Sequence, residues 1–454
     1  MMMNVGTAVI VVFFFAVLVG AVSTTYQRDM RGLVWIAFLE YVCCGIAQLI
    51  YSRVILGLSD AVGYAEAGQF MAGTLDANFG TAAPELLALL FRRPSMFDGD
   101  FNYVPGTNTG SMMALTGWIT FVCRGSDYGA HFVVTCLSMF GACGIFKGLE
   151  QFFPAAHRKK LFIATVLFPS VAFWTSALHK EAFALMGVGA LFAGFGSLYQ
   201  RKIRAFIYLP LGFTLLVLFR PPALIPLLSG IAVFVAIDRI RKSRGPAAAA
   251  VKPVYLVGVI AVFLLAVTLA GHLMPELALD KLQETIAMRR QSWGTTGAST
   301  LAEDEAPQSL AGQLLRVPLA MFNGLFRPQL FDVHNIGTFV SSLEMTAITY
   351  LTIRAIRHHG VGGLLTRIQR TPVSFMCALI AVIGCTMFGL VTLNLGSLAR
   401  YRAPFLPFFG ALIVSLIPAA ATSEAQAPAV SPRGPKRGPR FRGARMAARR
   451  ATRG

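Results

Sequence analysis

The chain has 454 residues, 55% of them hydrophobic and 13% charged, with mean hydropathy +0.63 and a formal net charge of +19. A soluble protein of this length carries roughly a quarter charged residues, so the composition excludes a soluble globular enzyme. It points to an all-α polytopic membrane protein, because helices satisfy their own backbone groups in lipid.

At the N-terminus, MMMNVGTAVIVVFFFAVLVGAVSTT lacks the basic n-region of a signal peptide and is expected to stay as a first span. Apolar runs of bilayer-spanning character follow at 33–56, 130–148, 161–175, 181–198, 205–219, 222–238, 253–272, 338–355, 373–393 and 403–420. Cytoplasmic loops collect Lys and Arg, and basic clusters occur at 27–31, 157–160, 200–204, 238–244 and 354–359 and in the tail. A further run, 111–123, reaches only about 20 Å as a helix, short of the ~30 Å hydrocarbon core. If it crossed the membrane, the clusters at 27–31 and 157–160 would face opposite sides. It is therefore expected as a juxtamembrane helix within a long outer loop, 57–129. About eleven transmembrane helices remain, with the N-terminus outside, a second long outer loop at 273–337 and the C-terminus cytoplasmic.

The membrane domain is expected over 1–420 and a basic disordered cytoplasmic tail over 421–454. Residues 428–454 hold nine Arg or Lys and no acid. Such a Pro/Gly/Arg segment suits anionic lipid more simply than nucleic acid.

The first outer loop opens with SDAVGYAEAGQF. Asp60 follows the second span closely, which suits a general base or a cation ligand. A helix cap from Ser59 and Asp60 is the structural alternative. Asp98 and Asp100 of FDGDFNY, together with Glu181, are reserve acids or sugar contacts.

The turn PSVAFWTSALHKEAF, 169–183, sets a His-Lys-Glu triplet between two apolar runs. Ser176 is placed to cap the next helix, and Glu181 in its first turn complements the helix dipole. Lys180 has no such explanation, since a cation is unfavourable at a helix N-terminus. An ionisable residue there is a candidate for binding an anion.

More cations fall on the same face: Arg220 in LFRPPAL, Arg289 and Arg290 in AMRRQSW, Arg327 in GLFRPQLF, and Arg400 and Arg402 in SLARYRAPF. The planar guanidinium fork suits phosphate oxygens. Contact with lipid headgroups is the plainer role for any one of them. The seven cysteines, 43, 44, 123, 136, 143, 377 and 385, lie in apolar stretches without metal-ligand spacing. No metal site is expected, and there is no phosphate-loop or nucleophile-elbow motif.

SDAVGYAEAG after an early span, the short helix 111–123, FPSVAFWTSALHKEAF, and the late outer segments LFRPQLFDVHN and NLGSLARYRAPFLP together resemble the GT-C superfamily of integral-membrane glycosyltransferases. The likeness is to bacterial polyprenyl-phosphate-sugar-dependent transferases of surface polysaccharide pathways, and it spans most of 30–420. It implies a GT-C-like fold in the bacterial inner membrane and a lipid-linked sugar donor. The acceptor would be a glycan, lipid or protein. By analogy Asp60 is the base of an inverting transfer, and Lys180, Arg220, Arg400 and Arg402 stabilise the leaving phosphate. The family's paired acidic motif is missing, because Asp60 stands between Ser59 and Ala61, and no large soluble domain follows the last run. No cofactor is expected, and a divalent cation stays open. A polysaccharide polymerase or ligase would rely instead on Arg289, Arg290 and Arg327. A transporter or lipid-carrier flippase would rely on mid-span charges such as Glu40, and a scaffold on none.

Overall fold

The computed structural model describes residues 2–417 apart from 58, 102, 244–246, 334–335, 393 and the stretch 275–314, of which only Lys281, Met288 and Gly312 are described. The basic tail lies outside the described residues. Every regular element among those described is helical. In chain order these are α1 (Met2–Ser23), α2 (Arg31–Ile50), α3 (Asp60–Ala77), α4 (Phe79–Leu90), α5 (Asn108–Val122) and α6 (Asp127–Leu149). Next come α7 (Arg158–Thr165), α8 (Pro169–Thr175), α9 (Lys180–Tyr199), α10 (Ala205–Phe219), α11 (Leu224–Lys242) and α12 (Ala247–Leu273). The last are α13 (Val317–Phe326), α14 (Ile336–Arg370), α15 (Pro372–Val391), α16 (Leu395–Arg402) and α17 (Leu406–Leu416).

Among the described residues, seven helices are long and apolar enough to cross a membrane: those within Asn4–Ser23, Arg28–Ile55, Asp127–Phe152, Lys180–Tyr199, Pro221–Lys242, Lys252–Leu273 and Pro372–Val391. The other four apolar runs of the sequence form shorter, broken or more polar helices. The run 161–175 is divided between α7 and α8 because Phe168 is held extended, φ −113 and ψ 99, ahead of Pro169. A residue preceding proline is disfavoured in the helical region, while Pro itself fits the first helical position. The run 205–219 makes a helix of 15 residues, and that at 403–420 starts as a single 3-10 turn before α17. The run 338–355 lies in α14, where Ser341 and Glu344 interrupt the apolar sequence to meet partners on α8. Ser341 Oγ faces Trp174 Nε1 at 3.5 Å, and Glu344 accepts from Ser170 N at 2.7 Å and Ser170 Oγ at 2.6 Å. The carboxylate thus caps two donors at the open start of α8. α14 itself bends at Gly360, whose φ of 66 favours glycine.

Side-chain contacts sort the helix ends into two groups. At one end Lys159 Nζ lies 3.1 Å from Asp29 Oδ2, Lys147 Nζ stacks 3.8 Å from the Tyr26 ring, and Lys242 reaches Asp238 and Tyr199. This basic end gathers the clusters near 27–31, 157–160, 200–204 and 238–244. At the other end Ser126 Oγ donates to Asn4 O at 3.1 Å, and Arg53 pairs with Asp127. Helices α3, α4 and α5 belong to this second end. α5 starts beside Lys180 and stops just before Asp127, so it does not traverse the bundle. The expected single juxtamembrane helix is therefore one of three.

The seam between α6 and α9 is built on glycine. A Cβ on Gly189 would stand 2.0 Å from the carbonyl oxygen of Gly141, and one on Gly148 would stand 2.2 Å from that of Phe192. Small residues let membrane helices approach to backbone contact, where dispersion and packing drive association. Gly189→Leu should therefore destabilise the purified protein by on the order of 3 kcal/mol through overpacking. Gly258→Leu on α12, where a Cβ meets nothing within 4 Å, should leave the melting temperature in detergent unchanged. Equal melting of the two variants would show that the seam is not the tight contact described.

Candidate functional site

The second end of the bundle concentrates its charge at the start of α9. Glu181 stands in the first turn of that helix with a side chain 4% exposed, and Arg220 from the α10–α11 turn pairs with it. Arg400 of α16 approaches the same oxygen, with Nε 3.8 Å from Glu181 Oε1. Through Nη2 it also reaches Asp60 Oδ2 at 2.9 Å. Four elements thus deliver one chain of charges, Arg220–Glu181–Arg400–Asp60. Tyr401 supports both guanidinium groups: Arg220 lies 4.4 Å and Arg400 4.9 Å from its ring centroid, and Arg400 Nη2 lies 3.0 Å from its hydroxyl.

Lys180 is the third cation of the cluster, and its partners are neutral. Its ammonium donates to Asn108 Oδ1 at 2.9 Å and to Thr109 Oγ1 at 2.8 Å, at the start of α5. Asn108 in turn donates to the Phe219 carbonyl at 3.2 Å, which ties α5 to the end of α10. Arg92 adds a clamp, donating to the carbonyls of Val217 at 2.6 Å, Leu218 at 2.7 Å and Leu273 at 3.0 Å. Those are end-of-helix carbonyls that no further turn would satisfy.

Spare donors distinguish the cluster from a closed structural network. Arg220 Nε and Arg400 Nε are both buried with no hydrogen-bond partner among the described residues. Each guanidinium carries five N–H groups and an ammonium three, and the bonds described use only part of them. Three cations face two carboxylates here. His179 adds no charge, because burial, followed by the nearby Arg400 charge, lowers its pKa to about 4.

The expected site residues separate into four groups. Asp60, Lys180, Glu181, Arg220 and Arg400 are together. Asp60 is the first residue of α3 rather than its cap: Ser59 accepts from Val62 N, and the Asp60 side chain is 56% exposed beside Arg400. Arg402 is elsewhere. It is fully buried and donates to the carbonyls of Gly324, at 2.8 Å, and Arg327. Arg327 is committed to Asp332, with Nε 3.0 Å from Oδ2. Asp98 braces its own loop, accepting from Tyr103 Oη at 2.7 Å and Ser95 N at 2.9 Å, and Asp100 is exposed in the same turn. Arg289 and Arg290 lie outside the described residues. Ser176 does not cap α9. Its hydroxyl is buried without a partner among the described residues, and His179 occupies the cap position with no side-chain bond.

Asn108, Thr109 and Tyr401 escape a reading based on charge, and Arg92 is charged but serves backbone carbonyls rather than the cluster. The one sequence signal for Asn108 and Thr109 is the polar turn GTNTG ahead of an apolar run. Neither of the two cavities described, about 800 Å³ and 240 Å³, is lined by the cluster. The smaller adjoins it on the far side of the first turn of α3, between Val62, Glu66, Arg53 and Asp127.

These burial differences separate stability from function. Glu181→Gln weakens a buried ionic centre and should cost 3–5 kcal/mol, on the order found when one partner of a buried pair is lost. Asp60→Asn should change stability by about 1 kcal/mol or less, as for an exposed pair. Melting of both variants in detergent checks this, and equal losses would contradict the assigned exposures. His179 has a folded-state pKa of about 4, below the ordinary value near 6.5. The unfolded chain therefore takes up its proton first, and the His179 contribution to stability falls as pH drops from about 6.5 to about 4. His179→Gln should flatten that part of the melting profile, and an unchanged slope would refute the neutral, buried assignment. No family model, curated protein or solved structure matches the chain.

Proposed function

We propose that the chain is a membrane glycosyltransferase that moves a sugar from a polyprenyl-phosphate carrier to a glycan, lipid or protein acceptor at the outer face of the bacterial inner membrane. The observation that supports this is the gathering of Lys180, Arg220 and Arg400 at one helix end with an exposed carboxylate, Asp60, beside them. Buried guanidinium donors without hydrogen-bond partners among the described residues fit phosphate oxygens, for which Arg is suited geometrically. Asp60 meets water on one side and Arg400 on the other, as a base that must release its proton requires.

In the proposed reaction Asp60 takes the proton of an acceptor hydroxyl. The acceptor oxygen then attacks the anomeric carbon from the face opposite the leaving group. The bond from that carbon to the phosphate oxygen breaks, and the configuration inverts. Polyprenyl phosphate departs with the electron pair, and the three cations stabilise its growing charge. Asp60 returns its proton to solvent. The polypeptide would cross the membrane about eleven times in a GT-C-like arrangement, with the N-terminus outside and the C-terminus cytoplasmic. The basic end then faces the cytoplasm, in line with the bias of cytoplasmic loops toward Lys and Arg.

A transport role is the second reading, and Glu40 favours it. This α2 carboxylate has a buried oxygen without a hydrogen-bond partner among the described residues, and it interacts electrostatically with Glu344. Charged groups inside a bilayer mark ion or substrate paths by default.

Complementation of surface glycan in the native host, at matched protein levels, separates the two. Asp60→Asn should reduce transfer by 10²–10⁴-fold, as for loss of a general base, and Lys180→Ala by 10²–10³-fold. Glu40→Gln should retain function. Full activity of Asp60→Asn together with loss in Glu40→Gln would reject the transferase in favour of transport. Orientation is tested separately: a periplasmic reporter fused after Arg220 should be active, and one fused after Arg204 inactive. The reverse pattern would invert the topology.

A further inference from the structure

The largest cavity described, about 800 Å³, lies between α1, α6, α9 and α10, and none of the clustered charges lines it. Its composition changes along its length. Leu18, Leu137 and Leu215 form apolar walls, and Ala190 and Ala193 leave the floor low along α9. Polar side chains appear only where α6, α9 and α10 reach the basic end of the bundle.

Its length matches one lipid leaflet. Along α9 the lining runs from Met186 to Gln200, about 21 Å at 1.5 Å per residue. Half of a ~30 Å hydrocarbon core plus the start of the headgroup layer has that depth. A slot with apolar walls does not hold ordered water, which needs several polar partners.

The mouth is cationic, with charges to spare. Lys147 is occupied, 3.3 Å from Glu150 Oε1 and over the Tyr26 ring. Arg204 gives Nε to Ser197 Oγ at 3.0 Å, which leaves its terminal amino groups free of hydrogen bonds among the described residues. Lys202 is exposed and has no side-chain partner among them. Two cations without a carboxylate partner among the described residues therefore flank an apolar slot one leaflet deep.

We propose that this groove seats one acyl chain of an anionic phospholipid from the leaflet at the basic end, with the lipid phosphate held between Lys202 and Arg204. The site is separate from the Asp60–Arg400 cluster and stands whether or not the chain is a transferase. Apolar fit holds the chain, and the two cations select the headgroup, since basic pockets between helices favour anionic lipids.

Native mass spectrometry of the full-length protein in detergent tests this with palmitoyl-oleoyl phosphatidylglycerol and phosphatidylcholine added in competition. The wild type should retain one phosphatidylglycerol with roughly tenfold preference. Lys202→Ala with Arg204→Ala should bring the two lipids to parity. Ala193→Phe, which fills the floor, should lose retention of both. Arg241→Ala with Lys242→Ala, basic residues of the same end outside the groove, should keep the wild-type preference. Equal retention of both lipids by the wild type, wild-type preference in the Lys202/Arg204 variant, or the same loss in the Arg241/Lys242 variant would overturn the proposal. The charge variants lie at the surface and remain decisive even if Ala193→Phe fails to fold.

Discussion

Glu181 holds the charged end of this molecule together. Its carboxylate is buried in the first turn of α9, a position where the helix dipole favours an anion, yet burial alone would make the charge costly. Arg220 and Arg400 relieve that cost at the same carboxylate oxygen, and through Arg400 the link extends to Asp60. The turn after α10, the short helix α16 and the start of α3 are thereby fixed relative to one residue. Buried ion pairs are weak evidence for net stability, since desolvation offsets much of the attraction. They are strong constraints on geometry, because an unpaired member would be far worse. The arrangement of the cluster follows from that constraint.

Proline determines where these charges are delivered. Pro169 divides one apolar run into α7 and α8 and so sets the path of the turn that carries His179 and Lys180. Pro221 and Pro222 open the 3-10 turn that follows Arg220, and Pro404 lies in the turn that follows Arg402. Each break frees backbone groups that lipid cannot satisfy, and broken helices persist in membranes only when buried in protein or lining a cavity. The freed groups are met here by particular side chains: Glu344 at the start of α8, and Arg92 at the ends of α10 and α12.

The helical membrane class is legible in composition and run length, because hydrophobic thickness is a direct physical requirement on the chain. Lys180 is legible for a related reason: a cation at a helix N-terminus conflicts with local electrostatics, and the conflict shows in the sequence alone. Separating Arg400 from Arg402 is harder. On a helix, residues two apart point about 200° from each other, so one guanidinium meets Asp60 while the other turns into the bundle. That rule applies only once 395–402 is known to be helical, and NLGSLARYR reads equally well as a loop. Asn108 and Thr109 are invisible from charge, since neutral polar residues have no signature until the fold brings Lys180 to them. The broken run 161–175 hides similarly, because hydropathy averages over the extended residue before Pro169.

Helix α9 joins the two ends. Its first turn carries Lys180 and Glu181, its middle carries the glycine contact with α6, and Ala190 and Ala193 follow directly beneath the groove. The small residues that allow backbone contact at Gly189 also leave room for a chain at Ala193, so close packing and the cavity come from the same composition. The charges at the two ends follow different rules. Around Glu181 the cations are half-buried and paired with carboxylates or neutral oxygens, and Lys180 alone among the three has no carboxylate hydrogen-bond partner among the described residues. At the groove mouth Lys202 and Arg204 are exposed, and among the described residues a carboxylate pairs only with Lys147. A half-buried cation whose partners are neutral keeps more of its field than one neutralised by a carboxylate, because water screens it only in part. At the start of α9 Lys180 adds a charge held by neutral oxygens, while Arg220 and Arg400 add hydrogen-bond donors paired with carboxylates. An anion approaching that end would meet, in Lys180, a cation hydrogen-bonded only to neutral oxygens among the described residues, at the one residue whose position the helix dipole opposes.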